Sequence, residues 1–202
     1  DITIALEGVS FGYGGRANVL DHVSLSVAPG ERVAILGPSG SGKSTIALLL
    51  ARLLDPQKGR VTLGGVDLRA LDSHTRRQNV VLMTQDAPVF TDTVRANLRM
   101  GSPDADEDAL WVVLERVKMA DTVRALPGGL NAVLGEAGRS LSAGQARRIC
   151  LARILLSEAR ILGLDEPTSG LDQPTATAFF ARLPETAAGR SIALITHADL
   201  PA

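Results

Sequence analysis

An α/β fold is predicted by three observations. Short β-branched runs alternate with stretches of helix length. The first runs crowd together, which suggests an antiparallel sheet, whereas the later ones are separated by helices, which suggests a parallel sheet flanked by them. Between residues 85 and 158 the chain reads mostly as helix and loop. The expectation is one domain over residues 1–202: an α/β core, an N-terminal antiparallel β subdomain and an inserted α-helical subdomain. Residues 1–85 and 159–202 are assigned to the β subdomain and core, and 86–158 to the helical subdomain.

The strand runs are residues 2–6, 23–27, 33–36, 61–63, 80–83, 161–164 and 192–195. The helical stretches are 43–54, 108–118, 143–156 and 175–183. Ser102, Pro103 and Asp104, followed by acids and then an apolar run from Leu110, mark a helix start with carboxylates near the positive end of the helix dipole. That reading is preferred to a metal site at residues 104–108. There is no internal repeat and no low-complexity segment.

At 202 residues the chain is long enough for one sizeable core. Its formal net charge of -1 leaves no basic footprint for nucleic acid or an anionic membrane surface. A single cysteine, Cys150, rules out an intrachain disulfide; set in an apolar run, it reads as a small buried side chain. The most apolar stretch, residues 46–54, is interrupted by Arg52 and falls short of the roughly 20 residues of a membrane-spanning helix. The first residues show no signal peptide. With no initiator Met, the chain is expected to be a fragment whose membrane part lies outside it.

Gly37, Pro38, Ser39, Gly40, Ser41, Gly42, Lys43, Ser44 and Thr45 follow a predicted strand and open a predicted helix. That is the context the G-x-x-x-x-G-K-[ST] pattern of a P-loop NTPase (RecA-like) core requires. Glycines let backbone amides turn inward around a polyphosphate. The helix N-terminus adds partial positive charge. Lys43 supplies a full charge to the β- and γ-phosphates, and the Ser44 hydroxyl is placed to ligate Mg²⁺. A second element comes much later, where the apolar run 161–164 ends in Asp165 and Glu166. Asp165 is placed to hold the Mg²⁺ hydration shell, and Glu166 to orient or deprotonate the attacking water. Alone, an Asp-Glu strand end is more often a helix cap; beside a phosphate loop it reads as catalytic.

Five further segments, in order, make the chain resemble the ATP-binding cassette family. Leu141, Ser142, Ala143, Gly144 and Gln145 resemble its signature motif and open a helix. Gln85, after the run 80–83, resembles the Q-loop glutamine, a catalytic and Mg²⁺-binding position. Ser169, Gly170, Leu171 and Asp172 resemble the D-loop. His197 resembles the catalytic switch histidine. Tyr13 resembles the aromatic that stacks on adenine. The resemblance covers nearly the whole chain and implies ATP and Mg²⁺ as ligands. Ser142 and the Gly144 amide sit at a helix N-terminus, an anion site in a chain that already has one. In the family that second site serves the ATP of a partner domain. The implication is a head-to-tail pair with a second nucleotide-binding domain, the same chain or a different one.

A narrower resemblance is to the exporters of that family, carried by residues 85–94 with Asn97 and Leu98, and by residues 134–138 just before the signature. It implies ATP hydrolysis driving export through a transmembrane domain, at the cytoplasmic face of the inner (plasma) membrane. Residues 129–144 also resemble the CydC half of the bacterial CydDC thiol exporters, which implies cysteine- or glutathione-type cargo and a role in cytochrome bd assembly. Three departures stand out. Ala143 replaces a glycine in the signature, Gly163 interrupts the strand before Asp165, and the family continues well beyond the switch histidine. Two rival readings exist. A soluble ATPase of the repair or translation type would add heptad arms or a second cassette, and neither appears in these residues. A weakly hydrolysing regulatory half is opposed by Glu166 and His197, while Ala143 leaves it open.

Overall fold

The computed structural model describes residues 2–14, 18–86, 88–135, 141–171, 173–187 and 189–196. Strands β1 (Ile4–Phe11), β2 (Leu20–Val27), β4 (Lys58–Leu63) and β5 (Val66–Asp67) form one sheet in the order β2-β1-β4-β5, antiparallel throughout. Strands β3 (Arg32–Ile35), β6 (Val80–Met83), β7 (Ile161–Asp165) and β8 (Ser191–Ile195) form the other, parallel and in the order β3-β8-β7-β6. The helices are α1 (Lys43–Leu50), α2 (Ser73–Asn79), α3 (Val94–Arg99), α4 (Glu107–Arg116), α5 (Ala120–Ala125), α6 (Ala143–Leu156) and α7 (Gln173–Thr186). Four of these, α3 to α6, lie between β6 and β7.

Two hydrophobic cores meet at the parallel sheet. One gathers Ile4, Leu6, Val9 and Phe11 of β1 with Ile46 and Leu49 of α1. The other gathers Leu98, Leu110, Leu114, Ile149 and Leu155 of the inserted helices with Phe180 and Leu183 of α7. Strand β7 serves both: Ile161 points into the first, and Leu162 and Leu164 into the second. That is the period-two alternation of a strand with both faces covered. Cys150 is buried as expected, and burial pushes its thiol up.

Several bounds differ from the expectation, each for a local reason. Strand β1 runs on to Phe11 because Gly8, at φ 57, absorbs a register shift between Leu6 and Val9; such a bulge flips the alternation that reading by period relies on. Strand β3 stops at Ile35, leaving Leu36 exposed. Helix α1 ends at Leu50 rather than at residue 54: Arg52 turns left-handed at φ 49, and its guanidinium bonds Asp55 and the Leu68 carbonyl. Helix α4 starts three residues after Asp104, with Asp106 as its cap. Helices α2, α3 and α5 were not expected. Gly163, the strand interruption, sits opposite Leu82, where a Cβ would approach Leu82 Cδ1 to 2.8 Å. Its bareness lets β6 and β7 pair closely.

Candidate functional site

The parallel strands deliver the site from their C-terminal ends. The loop after β3 leads into α1, Gln85 lies two residues beyond β6, Asp165 ends β7 and Ile195 ends β8. A crevice at the carboxyl ends of parallel strands is the usual ligand position of such sheets. Here it is a cleft of about 310 Å³, lined by Ser39, Gly40, Gly42, Lys43, Ser44, Thr45, Gln85, Asp165 and Glu166, with Tyr13, Val19 and Ile195. The cleft thus joins nine of the expected positions from the loop and strand ends to Tyr13, more than 20 residues upstream of them.

The loop wraps round the head of Lys43. The side chain is 7% exposed, and its Nζ donates to the carbonyls of Gly37 and Pro38, each at 2.8 Å. Ser41 N donates to the Pro38 carbonyl at 3.3 Å, closing the turn. Gly42, the residue before α1, has φ 91, and a Cβ there would meet Leu20 Cδ2 at 2.7 Å and Val19 Cγ1 at 3.0 Å. Only glycine satisfies both the backbone and the space. Thr45, buried in α1, shares a 3.1 Å hydrogen bond with the Tyr13 hydroxyl. Tyr13 also packs edge-on to Phe11, with ring centroids 5.0 Å apart, and keeps 45% of its surface exposed at the cleft.

Two acids complete the lining. Asp165 is 5% exposed, and its Oδ1 is buried with no hydrogen-bond partner among the described residues. A buried, unsatisfied carboxylate oxygen is costly unless a cation or its water completes it. Ser44 and Gln85 offer further oxygens in the same cleft, so the donor set suits a hard divalent cation such as Mg²⁺. Glu166 sits at φ 49, a left-handed backbone that side chains with a Cβ rarely adopt. Its amide donates to the Ile195 carbonyl at 2.9 Å, and its carbonyl accepts from Ser169 N at 3.1 Å.

The signature segment lies elsewhere. Ser142 caps α6, accepting from Gln145 N at 3.2 Å while Gln145 Oε1 accepts from Ser142 N at 2.9 Å. This reciprocal cap occupies the Gln145 carbonyl oxygen. Ala143 is the first helical residue and does not have a positive φ. Ser142, Gly144 and Gln145 are absent from the described lining of the cleft. Asp172 and His197 lie outside the described residues.

The sequence reading missed Val19, Ile195 and above all Arg147, whose guanidinium bonds the carbonyls of both Glu166 and Gln85. Nothing in the pattern of α6 distinguishes Arg147 from an ordinary surface arginine. The two exporter-like segments come together in space. Leu134 N donates to the Asp92 carbonyl, Thr93 pairs with Val133, and Asn97, fully buried, bonds the backbone of Phe90 and Thr93. Phe90 stands 46% exposed beneath the Arg153 guanidinium, whereas Val89 is half-buried against the helical core. Residues 136–138 of the second segment are outside the described ones.

Comparison with known proteins follows the same lines. The family model for ABC transporters matches residues 20–169. The mitochondrial iron-sulfur clusters transporter ATM1 of Saccharomyces cerevisiae is 36% identical over 196 residues, covering 96% of this chain and 28% of that protein. The ATP-dependent lipid A-core flippase of Burkholderia thailandensis is 40% identical over 198 residues, covering 96% of this chain and 33% of that protein. A solved bacterial Atm1-family ABC exporter with ATP bound superposes with a TM-score of 0.89 at 35% identity, covering 97% of this chain and 34% of that one. The chain therefore spans about a third or less of the length of these relatives. Among the described residues no helix is long and apolar enough to cross a membrane.

Proposed function

The chain belongs to the ABC transporter family as one of its ATPase domains, and we propose that it hydrolyses ATP to drive a membrane exporter from the cytoplasmic face of the inner membrane. The observation that carries this reading is the convergence of Lys43, Ser44, Gln85, Asp165 and Glu166 in one cleft. Lys43 and the loop amides of residues 39–45 take the β- and γ-phosphates. Tyr13 takes the adenine. Ser44, Gln85 and Asp165 would hold Mg²⁺, which when bound offsets phosphate charge. Glu166 accepts a proton from the attacking water, and the switch and D-loop roles fall to His197 and Asp172. Ser142, Gly144 and Gln145 contact the ATP of a second domain paired head-to-tail, which accounts for their position away from this chain's own cleft. Residues 86–158 act as the helical subdomain, and their loop at 88–93 with 133–135 offers Phe90 to the transmembrane domain.

The test is phosphate release by the full-length protein that carries this domain. Turnover that requires Mg²⁺ and is abolished by Lys43→Ala is expected; a purified, folded protein that binds ATP and never releases phosphate would refute the reading. A finer reading, thiol export of the CydC kind, is favoured by residues 129–144. ATP-dependent uptake of cysteine or glutathione into inside-out vesicles would support it, and uptake of neither would refute it. The iron-sulfur cluster transporters and lipid A-core flippases among the relatives leave cargo to that experiment.

A further inference from the structure

We infer that Arg147 is a positioning residue for hydrolysis, tying helix α6 to the backbone of both Gln85 and Glu166. The inference rests on the proposed ATPase reading and adds to it a residue outside the lining of the cleft. Arg147 Nη1 donates to the Glu166 carbonyl, and Nη2 donates to the Gln85 carbonyl at 2.6 Å. One planar fork therefore spans the loop after β6 and the end of β7, two segments 81 residues apart in sequence. A charged donor makes each bond stronger than a neutral one, and the fixed angle of the fork sets the spacing of its two acceptors.

What Arg147 holds gives the contact its function. Glu166 keeps a left-handed backbone, which its surroundings must impose. Its carbonyl has two lone pairs: Ser169 N takes one and Arg147 the other. With the amide fixed to Ile195, the peptide units on both sides of the Glu166 side chain are anchored. The Gln85 bond comes from the same guanidinium, and the Gln85 side chain lines the same cleft. Arg147 also lies five residues beyond Ser142, on the helix whose start is proposed to meet the partner's ATP. A shift of α6 is thereby passed to the base and the Q-loop through one side chain.

The test uses the full-length protein with Arg147→Met, which keeps an unbranched stem and loses all donors, and Arg147→Lys, which keeps one donor group. Turnover number, KM and binding of a fluorescent ATP analogue are measured, with thermal melting as the control for folding. Expected are a fall of about tenfold or more in kcat for the Met variant, equivalent to at least about 1.4 kcal/mol of barrier, and ATP affinity within about twofold of wild type, because the phosphate loop is untouched. The Lys variant should recover only part of the loss, since one ammonium cannot span two fixed acceptors as a fork does. In a Glu166→Gln background the Arg147→Met loss should largely vanish, because the base it positions is already gone. A kcat within twofold of wild type in the Met variant would overturn the inference. So would a full loss that persists unchanged in the Glu166→Gln background, or a parallel loss of ATP affinity and melting temperature in both variants. Wild-type protein without any turnover would instead overturn the ATPase reading.

Discussion

Replacing Lys43 by Ala tests the phosphate cradle, and the structure sets the size of the effect. The Lys43 ammonium donates to the Gly37 and Pro38 carbonyls. Phosphate oxygens would compete with those acceptors, so the net gain in hydrogen bonding is small. What remains is the attraction between full charges, about 4 kcal/mol at 4 Å for an effective dielectric constant of about 20. The cleft is open to water, so screening trims this to about 2–4 kcal/mol, or about 30- to 1000-fold in affinity. Isothermal titration of the full-length protein with ATP, ADP and adenosine is the assay. ATP should lose most, ADP less, and adenosine almost nothing. A folded variant that binds ATP within about threefold of wild type would refute the reasoning, as would an equal loss for adenosine.

Glu166→Gln should preserve the cleft and ATP binding while slowing phosphate release by about 10²–10⁴-fold, the usual worth of a positioned acid–base group. It should also accumulate an ATP-bound dimer on size exclusion, and near-wild-type turnover would remove Glu166 from the base role. Gly101→Ala places a Cβ 1.9 Å from the Arg153 carbonyl; a loss of about 1–3 kcal/mol in denaturant melts is expected from forced backbone movement, and an unchanged midpoint would refute it. The Asp72 carboxyl, bonded by the Thr75 hydroxyl and the amides capping α2, is pulled down to about 2. Its contribution is full above the ordinary carboxylate range near 3.8 and lost as pH falls through about 2. The stability gap between wild type and Asp72→Ala should therefore close below pH 4 or so; an NMR midpoint for Asp72 near 4 would contradict this.

The parts of the site visible in the sequence are those whose chemistry is written in adjacent residues. Residues 37–45 carry their own backbone demands, and the acids at 165 and 166 end an apolar run. Their convergence needed only the rule that parallel strands present their carboxyl ends together. Features set by distant contacts stayed hidden. Helix α2 buries no residue, so it has no apolar period to read, although its Asp72 cap is plain in retrospect. Helices α3 and α5 have six residues each, too few for two turns of pattern. The Gly8 bulge defeats alternation, and the left-handed turn at Arg52 is imposed by Asp55 and Leu68. Arg147 is the sharpest case: its importance lies wholly in two carbonyls that no sequence pattern marks.

Helix α6 and Glu166 are joined by more than that side chain. Gly144 lies in the first turn of α6, and a Cβ there would meet Leu171 Cδ2 at 3.0 Å. Leu171 N donates to the Thr168 carbonyl at 3.0 Å, and Ser169 N to the Glu166 carbonyl at 3.1 Å. The start of α6 therefore bears on the turn that follows Glu166, while Arg147 bears on Glu166 itself. Two short routes from one helix end at one carbonyl, and packed routes of this kind transmit displacement rather than absorb it. On the proposed reading, the helix start senses the partner's nucleotide and the carbonyl anchors this chain's base. Hydrolysis in one half would then answer to occupancy of the other through contacts made within a single chain. The glycine at 144 and the arginine at 147 are where that coupling is open to mutation, because each touches the relay and neither lines the cleft.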